Sequence, residues 1–183
     1  STVYDVIVIG GSYAGMAGAL QLARGRRQVL VIDAGIRRNR FAQHSHGLLG
    51  QDGKSPAAIA EDARAQLRQY PNLHWLSGEV QSAEKVGDIF TVTTANNEQR
   101  CAKRLLLATG VSDQLPAIAG LQDRWGKSVF HCPYCHGYEL NQGQLGVLAV
   151  GPVSQHQALL IPDWGPTTLF TNNCFAPDDA QRK

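Results

Sequence analysis

Residues 4–35 read YDVIVIGGSYAGMAGALQLARGRRQVLVIDAG, and this stretch decides the fold. Val6–Ile9 is a run of β-branched residues without polar alternation, the pattern of a strand covered on both faces in a parallel sheet. A small-residue turn follows. Ala17, Ala19, Leu20 and Ala23 then favour a helix with little bulk toward the sheet, Gly25 offers its stop, and 29–32 repeats the first apolar run. Strand, helix and strand in this order form a βαβ unit, so the fold class is α/β with a Rossmann-like sheet. Within the turn the small residues play different parts. Gly10 permits the tight bend, Ser12 lets a pyrophosphate approach the backbone, and Gly15 lets helix and strand pack closely. The helix N-terminus attracts phosphate. Asp33 closes the second strand roughly 20 residues on, where a carboxylate can accept hydrogen bonds from a ribose diol. The middle fingerprint position is Ser12 instead of glycine. The stretch predicts dinucleotide binding through Gly10, Gly11, Ser12, Tyr13, Ala14, Gly15, Asp33 and the adjoining Ala34.

The composition agrees with a folded, water-soluble chain. Of 183 residues, 43% are hydrophobic and 17% charged, with a formal charge of +2. That apolar share is enough for a core, and so even a charge balance leaves no basic stripe for nucleic acid. No run approaches the ~20 apolar residues that span a bilayer, and Val6–Ile9 opens a strand and not a signal-peptide core. A cytoplasmic protein with no nucleic-acid or membrane partner is expected. Glycine, at 19 residues, exceeds the usual ~7%, which points to turns and close backbone approaches.

Farther along, Ser55-Pro56 supplies a cap and a first-turn proline for a helix to about Gln69, which Pro71 stops. Residues 73–76, 79–85, 89–94 and 100–108 read as short strands with turns at Gly87-Asp88 and Asn96-Asn97, a β-meander inserted into the doubly wound sheet. Beyond Pro116 the pattern restarts with a strand at 145–150, a helix at 154–161 and a strand at 167–171. A domain boundary is expected near 112–118.

Two further motifs carry chemistry. Leu105-Leu-Leu-Ala108-Thr109-Gly110 is a buried strand ending in a small triplet. Cys132-Pro133-Tyr134-Cys135-His136 places two cysteines where they can close a small disulfide loop and act as a two-electron switch, with His136 able to manage protons near neutral pH. The same string also suits a glutaredoxin-type site, a c-type haem attachment, a zinc site or a structural pair. Cys101 and Cys174 add no second close pair.

Fingerprint, acid, meander, Ala-Thr-Gly and redox pair, in that order, resemble the low-molecular-weight thioredoxin reductase family across essentially the whole chain. HCPYCHGYE is most similar to its branch of gliotoxin-type dithiol oxidases. The resemblance implies FAD as cofactor, an FAD-binding domain over 1–115 with an inserted β-meander, and a partial NAD(P)-type Rossmann-like domain over 116–183. It makes Ala108, Thr109 and Gly110 further FAD contacts, lets Arg40 reach the phosphates or adenosine, and passes the backbone of Val80 beside adenine. Cys132 would exchange with a small dithiol or disulfide, or with a thioredoxin-like protein, while Cys135 faces the flavin. A homodimer is expected on the same ground. The 41–47 loop, with His44 and His46, is expected near the flavin and not at a metal, and no metal residue is assigned. Arg37 and Arg38 read as a solvated basic loop, and Trp75, Trp125 and Trp164 as packing residues.

The second nucleotide fingerprint is incomplete. Ala149-Val150-Gly151-Pro152-Val153-Ser154 retains only Gly151, read as the central glycine, and Phe170-Thr171-Asn172-Asn173 brings no cation before Arg182 to meet a 2′-phosphate. NADPH is therefore expected to be used poorly or not at all, with oxygen or another donor or acceptor in its place. A non-catalytic nucleotide-binding module is the other class of reading. Because the family's FAD domain closes with a returning segment that is not found before Lys183, a C-terminally truncated chain is expected.

Overall fold

The computed structural model describes residues 2–178, so Arg182 lies outside the described residues. Two compact units divide the chain: residues up to His44 with Lys54–Asp113, and Ser45–Gly53 with the chain from Gln114 onward. The first unit contains strands β1 (Val3–Tyr4), β2 (Val6–Ile9), β3 (Val29–Asp33), β4 (Leu73–Ser77), β5 (Val80–Val86), β6 (Ile89–Thr94), β7 (Gln99–Ala102) and β8 (Leu105–Leu107). Helices α1 (Tyr13–Arg24) and α2 (Pro56–Leu67) accompany them.

A parallel sheet in the order β4-β3-β2-β8 forms the centre. Alternate residues of β2 serve different layers, as the two-residue period of a strand requires. Ile7 and Ile9 pack with Leu30 and Ile32 against Val92 and Ala102 of the second sheet. Val6 and Val8 face the other way, with Val29, Val31 and Ala19 of α1. Ile7 and Val8 are both 0% exposed, which explains the absence of polar alternation, and each such side chain contributes roughly 1.5–3 kcal/mol by burial. On α1 the face toward the sheet is small: Gly15, Met16, Ala19 and Ala23 are buried, and a side chain at Gly18 would meet Leu106. Gly25 does follow the helix, but the left-handed backbone falls on Arg26, with φ of 58°.

The second sheet has the order β1-β7-β6-β5, antiparallel from β5 to β7. Two expectations need correction. The run 100–108 is not one strand: β7 pairs with β6 (Thr91 with Cys101), and β8 pairs with β2 (Val8 with Leu106). Between them Lys103 donates its amide to the Tyr4 carbonyl and Arg104 accepts from Ile7, so the chain changes sheets at these two residues. Residues 73–77 belong to the parallel sheet beside β3, with Val31 opposite Trp75, and not to the meander. The two-residue β1, paired in parallel with β7, is too short to leave a pattern in the sequence.

Ser55 caps α2, its hydroxyl accepting the Ala58 amide at 3.2 Å, and Pro56 occupies the first turn. In the second unit lie single-turn helices α3 (Leu121–Arg124) and α4 (Pro133–His136), then β9 (Leu145–Leu148), α5 (Ser154–Leu160) and β10 (Thr167–Phe170). β9 and β10 pair in parallel, Val147 opposite Leu169. β9 ends two residues before the expected limit because the Val150 amide turns to the Ser154 hydroxyl at 3.1 Å. Among the described residues no helix is long and apolar enough to cross a membrane.

Candidate functional site

The nucleotide turn is built by backbone contacts that exclude side chains. Gly10 has φ of +103°, donates its amide to Ile32 at 2.9 Å, and would place a Cβ on the Ala108 carbonyl oxygen. The Ala108 amide returns a 2.8 Å bond to Ile9, and Gly110 takes φ of +68°, so the turn and the Ala108-Thr109-Gly110 triplet share one contact region. A Cβ at Gly15 would fall on the Gly10 carbonyl, and one at Gly11 would meet the Trp75 ring and Asp33. Trp75 thus packs under the turn.

Several groups there are disposed toward a polar anionic ligand. The Gly11 amide donates to Asp33 Oδ1 at 2.9 Å, holding the carboxylate at the end of β3. Ser12 is the N-cap of α1 with its hydroxyl making no capping bond, and no acid stands in the first turn. By helix geometry the amides of Tyr13, Ala14 and Gly15 have no intrahelical acceptor. The Tyr13 hydroxyl donates to the Pro56 carbonyl and accepts from Asn39 Nδ2, both at 3.1 Å. Asn39 Oδ1 and Arg37 Nε are buried and have no hydrogen-bond partner. These amides, the acid and Asn39, which Tyr13 ties to the turn, fit an FAD diphosphate and ribose. Asn39 and Arg37 do not stand out as ligands in the sequence, where they sit in an irregular basic stretch.

The remaining candidates of this unit are placed as follows. Ala34 is exposed beyond Asp33. Val80 opens β5 beside a register shift and packs on the cluster of Ile7, Ile9 and Ile32. Arg40 lies 4.2 Å over the Phe41 ring and donates to the Arg37 carbonyl at 2.8 Å, so its guanidinium is engaged in its own loop. Arg38 is not simply solvated: it forms a bidentate pair with Asp113.

In the second unit Cys132 and Cys135 form a disulfide with Cα atoms 5.4 Å apart. Cys132 is the N-cap of α4 and Pro133 its first residue, while a Cβ at Gly137 would collide with Trp164 and the Pro133 carbonyl. Glycine there lets Trp164 close over the end of the helix, where Tyr134 meets its ring edge-on at 5.0 Å. His136 stacks on Phe130 at 4.2 Å with the planes 20° apart. Burial holds its pKa below the ordinary imidazole value; His131 adds to that and Glu139 opposes it. A neutral imidazole beside the pair can accept a proton from an attacking thiol and, once protonated, return it to a leaving thiolate. His46, expected near the flavin, folds in this unit with its Nε2 3.4 Å from Glu139 Oε1. No group of three or more His, Cys, Asp or Glu side chains among the described residues could hold a metal.

At the second fingerprint Gly151 has open space where a side chain would go, Val153 is 78% exposed, and Ser154 is buried against the Val150 amide. Asn172 donates to the Ala149 carbonyl at 3.4 Å, and residues 167–178 include no lysine or arginine.

The family described as pyridine nucleotide-disulphide oxidoreductase matches residues 4–154. Thioredoxin reductase tcpT of Claviceps purpurea is 38% identical over 84% of this chain and 49% of its own length. The crystal structure of an oxidoreductase from Agrobacterium tumefaciens is 55% identical, with a TM-score of 0.96 over 99% of this chain and 61% of that one. The crystal structure of HlmI is 39% identical, with a TM-score of 0.93 over 98% and 57%. The chain spans about half the length of the curated relatives it matches.

Proposed function

Because the chain belongs to the pyridine nucleotide-disulphide oxidoreductase family, thioredoxin-reductase-like branch, we propose that it serves an FAD-dependent thiol–disulfide oxidoreductase with Cys132 and Cys135 as the redox pair. The observation that carries this reading is the Cys132–Cys135 disulfide on the turn that also holds His136. FAD would rest on Gly10 to Gly15, Asp33 and Ala108 to Gly110, with Asn39 and Arg37 completing the polar lining; Ala34, Arg40 and Val80 are further contacts by resemblance. By resemblance residues 1–115, apart from Ser45–Gly53, which folds in the second unit, are assigned to the FAD-binding domain and 116–183 to the partial NAD(P)-type one.

In the proposed reaction a substrate thiolate attacks Cys132 Sγ, the Cys132–Cys135 bond breaks, and Cys135 leaves as a thiolate. The second substrate thiol then attacks the substrate sulfur of the mixed disulfide. This closes the substrate disulfide and frees Cys132, so that two electrons have moved to the protein pair. His136 accepts a proton from an attacking thiol and returns it to a leaving thiolate. Bound FAD supplies the two-electron acceptor. A small dithiol or a thioredoxin-like protein satisfies this chemistry, a homodimer accompanies it by resemblance, a cytoplasmic location is proposed with it, and the reverse direction follows the same bonds.

NADPH is proposed to be a poor donor, supported by exposed Val153 at the helix start and by the uncharged end of β10. Oxygen would then take the electrons, leaving as hydrogen peroxide. The test is anaerobic, with the full protein loaded with FAD. A dithiol should bleach the flavin in the parent and not in Cys135→Ser, and NADPH should bleach it slowly. Unchanged dithiol bleaching in Cys135→Ser overturns the role of the pair, and rapid bleaching by NADPH overturns the poor-donor reading.

A further inference from the structure

The segment Ser45–Gly53 lies far in sequence from the cysteines yet folds in their unit. It closes on itself, with the Gly53 amide donating to Ser45 and the Gly47 amide to Asp52 Oδ1, both at 2.9 Å. From this closed loop His46 reaches two carboxylates: Nδ1 is 3.5 Å from Asp52 Oδ2 and Nε2 is 3.4 Å from Glu139 Oε1. Its side chain is only 21% exposed, whereas those of Asp52 and Glu139 are 65% and 44% exposed. Glu139 belongs to the 3₁₀ turn Tyr138–Leu140, which continues from α4 directly after Gly137. The imidazole therefore ties a separate loop to the helical turn that holds Cys135 and His136.

We propose that His46 is a positioning residue for the redox pair: by bridging Asp52 and Glu139 it fixes the 45–53 loop to the cysteine-bearing turn, and it sets how the Cys132–Cys135 site responds to pH through His136. The inference rests on the thiol–disulfide reading above. His46 is faced by Asp52 from its own loop, by Glu139 from the 3₁₀ turn and by His136 from α4. His136 is faced by Glu139, His131 and His46, with Phe130 stacked on its ring, and His131 is tilted against Trp125. Of these groups Glu139 alone favours the protonated form of His136. The Glu139 carboxylate that acts on His136 is the one that His46 Nε2 meets at 3.4 Å.

The experiment follows reduction of the protein disulfide by dithiothreitol across the imidazole pH range, in the full FAD-loaded protein. The readout is alkylation of Cys132 and Cys135, counted by peptide mass so that Cys101 and Cys174 do not interfere. Dividing each variant's rate by the parent's cancels the ionisation of dithiothreitol itself. Glu139→Gln is expected to move the midpoint toward acid by about 0.5 pH unit, roughly a threefold change in His136 protonation at fixed pH. In a His46→Gln background the same substitution should shift it less than half as far, and cleavage by a protease within 47–53 should accelerate. Equal shifts in the two backgrounds, or no shift in either, would overturn the proposal. Should His46→Gln not fold, Asp52→Asn replaces it, removing one charge while keeping an acceptor for Gly47; the coupling is again expected to fall, and an unchanged coupling is again fatal. A parent disulfide that dithiothreitol never reduces removes the thiol–disulfide reading and this inference with it. A reducible parent whose variants behave identically removes this inference alone.

Discussion

Gly10→Ala is the substitution whose effect the structure defines most sharply. Gly10 has φ of +103°, and its Cβ would fall on the Ala108 carbonyl oxygen, a backbone atom tied to the strand end through the Ala108 amide. The positive φ alone costs an alanine about 1–2 kcal/mol, and forcing a methyl group into a filled contact adds roughly 1–3 kcal/mol. Together they amount to about 2–5 kcal/mol. Gly87→Ala is the internal control: Gly87 has φ of +61° in the turn between β5 and β6, and nothing lies within 4 Å of the added carbon. It should lose only the conformational part, about 1–2 kcal/mol. Urea unfolding followed by far-UV circular dichroism separates the two, since a further ~1–3 kcal/mol moves the midpoint by about 1 M at ordinary slopes. The close approach of the turn to Ala108 is refuted if Gly10→Ala is no more destabilising than Gly87→Ala. In that case the fingerprint glycine is needed for its dihedral angle and not for contact.

Two further outcomes are expected. Asp33→Asn keeps an acceptor for the Gly11 amide but loses the charge, so stability should hold while FAD is released about fivefold more readily, roughly 1 kcal/mol of charge-assisted bonding; equilibrium dialysis of flavin measures it, and undiminished retention counts against a ribose contact. His136 has a pKa below its ordinary value, so its contribution to stability is complete above the imidazole range and falls as the pH drops through it, where the unfolded chain takes up the proton first. Asp52, lowered chiefly by the Gly47 amide and then by His46, acts in the same sense in the carboxylate range. Thermal unfolding across that span should show a weaker acid dependence in His136→Gln, and an identical slope would contradict the assignment.

The βαβ unit was legible because its signals are local: unbroken β-branched strands, glycines at the bend and small residues on one helix face. The split of 100–108 was not, because Cys101 and Leu106 are both apolar and nothing in composition says that Lys103 and Arg104 pass the chain from one sheet to another. The single-turn helices α3 and α4 are too short for a period to show. At the candidate site the glycines, Asp33 and the cysteine pair could be read directly, each being a residue type at a diagnostic spacing. Asn39 reaching Tyr13, and His46 reaching Glu139, could not. Both are contacts between segments distant in sequence, made by residue types common in any polar loop.

The central claim is that electrons enter through the Cys132–Cys135 pair and continue to flavin. An anaerobic reductive titration of the full FAD-loaded protein with a dithiol, with flavin absorbance and thiol content read together, tests it most directly. The parent is expected to take up two electrons in the disulfide and two in the flavin, the flavin bleaching only as Cys132 and Cys135 become alkylatable. Flavin that bleaches while the two cysteines stay disulfide-bonded, or a pair that is reduced while the flavin stays oxidised, would contradict it.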